Sequence, residues 1–113
     1  MANPNIAGLT YIYGHTNCIS VTTSWVTMLT TASGQISRIN SVIVSNIDGT
    51  NDADINIQIE GFYIARSITV PANSSLVVVS KDTGLYLTEN QSMQCYGSSN
   101  SDLQLVMAYE QIY

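Results

Sequence analysis

Hydrophobic and polar residues alternate with a period of two along most of this chain. Ile55, Ile57 and Ile59 are interleaved with Asn56, Gln58 and Glu60. Leu103, Leu105, Met107 and Tyr109 are interleaved with Gln104, Val106, Ala108 and Glu110. That period places one set of side chains against a core and the other in water, the signature of a half-buried strand. Similar runs predict strands at Ile6–Tyr13, Cys18–Val21, Trp25–Thr30, Ile36–Ser45, Tyr63–Val70, Leu76–Ser80, Leu85–Thr88 and Ser92–Tyr96. Turn chemistry separates them at Gly14, Ser33-Gly34, Asp48-Gly49, Pro71-Ala72-Asn73, Asp82-Thr83-Gly84, Glu89-Asn90 and Gly97–Asn100. No window carries a capped 3.6-residue stripe. The expectation is an all-β fold, a single antiparallel β-sandwich of jelly-roll type with little or no helix. Without crossover helices a parallel α/β architecture is excluded.

The 113 residues form one domain by length, with residues 1–5 read as a flexible N-terminal arm. Burial of roughly 65% of the unfolded surface suffices for one shallow core. Charged residues make up 10% of the chain, against roughly 25% in an average soluble domain. Ser, Thr and Asn supply the polarity instead. Net charge is −5, and Arg38, Arg66 and Lys81 are the only basic side chains apart from His15. Three scattered cations cannot neutralise a row of phosphates, which argues against nucleic acid and equally against an anionic membrane surface. No apolar run reaches the length of a membrane span. Neither a secretory leader nor glycosylation at Asn73 or Asn90 is expected. Cys18 and Cys95, without a CxxC spacing, are expected to stay reduced.

Residues 1–37 contain no Asp, Glu, Lys or Arg. Exposed strand edges are normally blunted with charge, so this neutral segment has two readings. It lies in the interior, or it pairs with another subunit.

The loop Asp48-Gly49-Thr50-Asn51-Asp52-Ala53-Asp54 invites a metal reading. An EF-hand needs Gly at position six and Glu at twelve, and here Gly49 follows the first aspartate directly. A looser calcium site from Asp48, Asp52 and Asp54 is the alternative, but turn-forming residues between two apolar strands favour a plain loop. Catalytic chemistry has little to use. His15 is the single histidine, and no Gly-x-Ser-x-Gly elbow occurs. A Cys18–His15 pair lacks an orienting carboxylate, so His15 reads as a turn residue and Cys18 as a small apolar filler. One His and two distant Cys fall short of a zinc set. Paired carboxylates for glycoside hydrolysis would have to come from Glu60, Glu89, Glu110 or the aspartates. No cofactor or metal is expected. Trp25 and the seven tyrosines offer a stacking platform for carbohydrate, although core or interface aromatics explain them more simply.

The run Arg38 to Asp54, RINSVIVSNIDGTNDAD, resembles small virion structural proteins of tailed phages, notably those of marine cyanobacteria. So do Ser67–Asn73, Leu76–Thr83, Tyr86–Asn90 and Ala108–Ile112, along with the Met-Ala-Asn-Pro-Asn-Ile start. The pattern spans roughly residues 36 to 113. Where the family often carries a longer insertion, this chain has the short Glu60–Arg66. The resemblance implies a non-enzymatic β-sandwich of the virion, assembled in the host cytoplasm, with a head decoration (cement) role first and a neck or tail component second. A carbohydrate-binding module for host attachment is the rival from another class, with hydrolase a distant third. Partners are then the major capsid protein and further copies of the chain itself, most plausibly as a trimer. Tyr11, Tyr13, Trp25, Thr27 and Tyr113 are the candidate interface residues, since interface cores are poor in charge and rich in aromatics.

Overall fold

The computed structural model describes residues 11–113. The proposed arm at residues 1–5 and most of the strand predicted at Ile6–Tyr13 lie outside them. Among the described residues nine strands follow one another: β1 (Ile12–Ser20), β2 (Val26–Thr30), β3 (Ile36–Asn46), β4 (Ala53–Ile59), β5 (Phe62–Val70), β6 (Ser75–Val79), β7 (Leu85–Leu87), β8 (Ser92–Gly97) and β9 (Leu103–Ile112). The one helical piece among the described residues is a single 3-10 turn at Lys81–Thr83. Two antiparallel sheets form, one ordered β1-β9-β3-β6 with β7 also on β3, the other β2-β8-β4-β5. The all-β sandwich read from the period-two pattern is what the chain adopts.

The pairing is nested. β4 pairs with β5, β3 with β6, β2 with β8 and β1 with β9. The chain is thus one long antiparallel ribbon, rolled so that successive pairs fall alternately in the two sheets. Its tip is Glu60-Gly61, both at positive φ (49° and 83°). A two-residue turn of that hand matches the twist of the flanking strands. Asn73 and Asn90 also adopt positive φ in their turns, as asparagine does more readily than other side chains.

Between the sheets lies one core. Val42 and Val44 of β3 and Leu103, Leu105 and Met107 of β9 meet Ile55 and Ile57 of β4 and Met93 and Cys95 of β8, all fully buried. The four buried polar side chains, Thr31, Ser37, Asn46 and Asn56, are hydrogen-bonded, as burial requires. Thr31 donates to Ser37 at 2.8 Å, and Asn56 Oδ1 accepts the Ser67 amide at 2.8 Å.

Two local readings are corrected. Gly14 and His15 do not turn the chain. β1 runs straight through them, with Gly14 opposite Glu110 and His15 opposite Tyr109. An unbroken ladder to β9 outweighs the weak local preference of one glycine. Cys18 is not an apolar filler either. It lies exposed on β1, while Cys95 fills the core, where burial pushes its thiol up to about 11.

Candidate functional site: three aromatic and apolar surfaces

Over residues 12–30 the charge-free segment is mostly exposed or half-buried, with Val21 and Met28 reaching the core. β1 is the edge of one sheet and β2 the edge of the other, joined by the short link through Trp25. The Asn17 side chain ties the two edges together by donating to the Met28 carbonyl at 3.2 Å. One flank of the sandwich therefore carries no Asp, Glu, Lys or Arg on its strands.

The five predicted interface residues separate into two groups. Tyr11, Tyr13 and Tyr113 meet in a triangle with ring centroids 5.6 to 6.1 Å apart. They meet because Tyr11 and Tyr113 exchange backbone hydrogen bonds at 2.7 and 2.9 Å. Strand alternation puts them on the phase that carries Leu105 and Met107 further along β9. All three rings are exposed, so this core-facing phase runs out beyond the cover of the second sheet. Next along it, His15 stacks on Tyr109 at 5.2 Å, and its Nε2 lies 3.0 Å from Gln111 Oε1. Partial desolvation, then the neighbouring Tyr13 and Tyr11, raises the Tyr113 hydroxyl above the ordinary tyrosine value.

Trp25 and Thr27 lie elsewhere, on the outer face of the β2-β8-β4-β5 sheet. Trp25 meets Tyr96 edge to face at 4.3 Å and Tyr63 at 6.2 Å. The Arg66 guanidinium sits 5.3 Å from the Tyr63 ring centre. Thr27 opposes Gln94, whose Oε1 accepts from Gln58 at 3.0 Å.

A third surface was not anticipated. On the outer face of the β1-β9-β3-β6 sheet, Cys18 stands opposite Val106, Val106 opposite Ile43, and Ile43 opposite Val77. The result is an apolar row across four strands, with Val106 41%, Ile43 37% and Val77 57% exposed. The next row, Ser20, Gln104, Ser45 and Ser75, is polar but uncharged. A shallow cleft of about 260 Å³ opens beside it, lined by Cys18, Ile19, Ser20, Gln104, Leu105 and Val106. The sequence carries a signal for this surface. Val42-Ile43-Val44 and Leu105-Val106-Met107 place an apolar residue on the wet phase of strands that otherwise alternate.

The carboxylates of the acidic loop accept hydrogen bonds from the surrounding chain. Asp48 Oδ1 accepts from the Thr50 amide at 2.8 Å and the Asn51 amide at 3.2 Å. Asp52 accepts from the Ala72 amide, and Asp54 accepts from the Thr69 hydroxyl. The three carboxylates thus share no partner. No group of three His, Cys, Asp or Glu side chains is placed to hold a metal ion among the described residues.

The Thr50 and Asn51 amides favour the ionised Asp48 and hold its carboxyl below the ordinary aspartate value. A depressed folded pKa contributes stability above the unfolded value, and the contribution disappears as pH falls through the folded one. NMR titration should therefore find Asp48 ionising below a model aspartate. Asp48→Asn should remove this part of the acid dependence and leave neutral-pH stability slightly lower. An Asp48 midpoint at or above the model value would contradict the capping geometry.

No family model matches the chain, and neither does any curated protein sequence. Among solved structures, the fold is similar to a chain in the acidic stable capsid structure of Helicobacter pylori bacteriophage KHP30. The TM-score is 0.58 at 9% identity, over 93% of this chain and 90% of that one. A chain from Bacillus endospore appendages, described as a novel family of disulfide-linked pili, aligns at TM-score 0.48 and 13% identity, over 100% of this chain and 96% of that one. The class that emerges is an all-β sandwich whose fold is shared with a phage capsid structure.

Proposed function

We propose that this protein is a non-enzymatic structural component of a phage virion, attached to the head as a decoration protein that bridges capsid subunits. The observation that carries the reading is the uncharged apolar row Cys18–Val106–Ile43–Val77 on an outer sheet face, in a fold shared with a phage capsid chain. Contiguous exposed apolar surface of this kind marks a contact with another macromolecule. The nested strand order across two sheets supports a jelly-roll reading, an architecture used by viral capsid domains. The sequence resemblance to virion proteins of cyanobacterial phages supports the same role. Partners are the capsid lattice and further copies of the chain. Many modest apolar contacts repeated over a closed shell add up through avidity, and they resist salt better than ion pairs do.

The test compares particles assembled with wild-type protein and with an Ile43→Lys/Val106→Lys variant. Both positions face solvent, so the variant should fold. It should be lost from purified heads, which then rupture sooner on heating or osmotic shock. Wild-type retention of the variant, or location of the protein only at neck or tail, would overturn the decoration role. A second reading, carbohydrate binding, draws on the Trp25–Tyr96–Tyr63 cluster beside Gln58 and Gln94. Its test is a polysaccharide pull-down in which Trp25→Ala abolishes retention.

A further inference from the structure

The sandwich has four edges, and three of them are blunted. β2 has five residues and a register shift between Thr27 and Leu29. β5 carries Arg66, two register shifts against β4, and Ser67 at positive φ. On the fourth strand of the other sheet, β6 has five residues and a register shift, and the chain then leaves through Lys81, Asp82 and a 3-10 turn before β7. Short strands, bulges and charge are the devices that keep edges from pairing.

β1 has none of them. It is nine residues long, contains no proline or charge, and runs against β9 without a register shift. Tyr11 and Tyr113 form a hydrogen-bonded pair, so by alternation Tyr13, His15, Asn17 and Ile19 also turn their backbone groups to β9. Ile12, Gly14, Thr16, Cys18 and Ser20 then turn their N–H and C=O groups outward. Among the described residues β1 pairs only with β9.

We infer that β1 is a self-pairing edge: it docks antiparallel against β1 of a second copy about a twofold axis at Thr16, fusing two sheets into one. Neutrality selects this occupant. Across a twofold axis each residue near the axis meets its own copy, so any charge there would face its like. A different partner could instead exploit complementary charge, and β1 offers none. With Thr16 on the axis, Ile12 opposes the partner's Ser20 and Gly14 the partner's Cys18, so all five outward positions are hydrogen-bonded. The same contact brings two copies of the apolar Cys18–Val106–Ile43–Val77 row onto one continuous face. The inference deepens only the self-association part of the proposed function and can be tested on purified protein, without particles.

Sedimentation velocity on the full chain should show a dimer. Thr16→Lys should weaken it roughly tenfold or more, because two ammonium groups meet at the axis. Thr16→Pro removes an outward N–H and no bond to β9, and should weaken it likewise with the circular dichroism spectrum unchanged. Thr27→Lys should leave the dimer intact. In a Cys18→Ser background, Thr16→Cys should be joined to its own copy by a short bifunctional thiol cross-linker, since Cβ atoms directly opposite in a hydrogen-bonded pair lie about 5.5 Å apart. A wild-type monomer at high concentration, a trimer, an assembly broken by Thr27→Lys but not by Thr16→Lys, or failure of Thr16→Cys to cross-link would each overturn the inference. Loss of head binding by a protein that still dimerises would count against the decoration role alone.

Discussion

Truncating Ile57 to alanine should lower stability by about 3–5 kcal/mol, toward the upper end for an aliphatic core residue. Ile57 is fully buried at the centre of β4. Its ladder partners are Cys95 on β8 and Ala65 on β5, both small and both buried. Neither can swing in to fill the space, so the cavity persists and the cavity cost adds to the lost transfer energy. A domain of this size has only about 5–15 kcal/mol in total, so the variant should be close to unfolding at physiological temperature. Chemical denaturation measures the loss. Val106→Ser, an outer-face change on the same sandwich, is the control and should move stability by under about 1 kcal/mol. A loss below about 1 kcal/mol for Ile57→Ala would mean that the two sheets close up on deletion and that the core is not tightly packed.

The second large effect is polar. Asn46, only 3% exposed at the end of β3, ties the acidic loop to β5. Its Nδ2 donates to the Asn51 and Val70 carbonyls, both at 2.9 Å, and its Oδ1 accepts from the Asp48 amide at 3.0 Å. Asn46→Ala removes all three bonds and should cost about 2–4 kcal/mol, with buried groups left unpaired. Asn46→Asp is the sharper variant. A carboxylate cannot donate to either carbonyl, and it adds a negative charge beside Asp48, Asp52 and Asp54. It should therefore be the less stable of the two at neutral pH and recover part of the difference in acid. Equal stability of both variants at all pH values would show that the loop is held by something other than this amide. Limited proteolysis between residues 48 and 54 offers an independent readout.

Leu103–Glu110 announced its strand because it is half wet, with Gln104 and Val106 exposed between the buried Leu103, Leu105 and Met107. Ile55–Glu60 shows the same period although Asn56 is itself buried, because Asn56 and Gln58 meet hydrogen-bonding partners on the sheet face instead of water. The Ser33-Gly34, Pro71-Ala72-Asn73 and Glu89-Asn90 turns were legible because Gly34, Asn73 and Asn90 do adopt positive φ. Gly14 misled for the complementary reason. Whether a glycine ends a strand depends on the partner across the ladder, and β9 lies some ninety residues away. The same distance hid the tyrosine triangle as a cluster. Tyr11 and Tyr13 could be named as surface aromatics, but only the β1–β9 pairing brings Tyr113 to them. Trp25 was grouped with those tyrosines as an aromatic and Thr27 for its place in the charge-free segment, and neither property says which sheet a residue occupies. The row Cys18–Val106–Ile43–Val77 is the instructive omission. Ile43 and Val106 sit on the polar phase of their strands, so their misfit was visible. That they fall opposite one another, and opposite Val77, depends on register, which a single sequence does not carry.

The rolled ribbon also bears on the order in which the chain can organise itself. Closing β4 on β5 needs only the two-residue Glu60-Gly61 turn, so its entropic cost is small. Once that hairpin exists, β3 and β6 are held near each other, and each later pair closes a gap far shorter than its separation in sequence. β1 and β9 meet last by this route. Until they do, β9 presents its own unpaired side to solvent along with β1. By that route the chain would pass through a stage with two unblunted edges where the finished sandwich has one, and crowding by neighbouring copies would then carry the greatest hazard of wrong pairing.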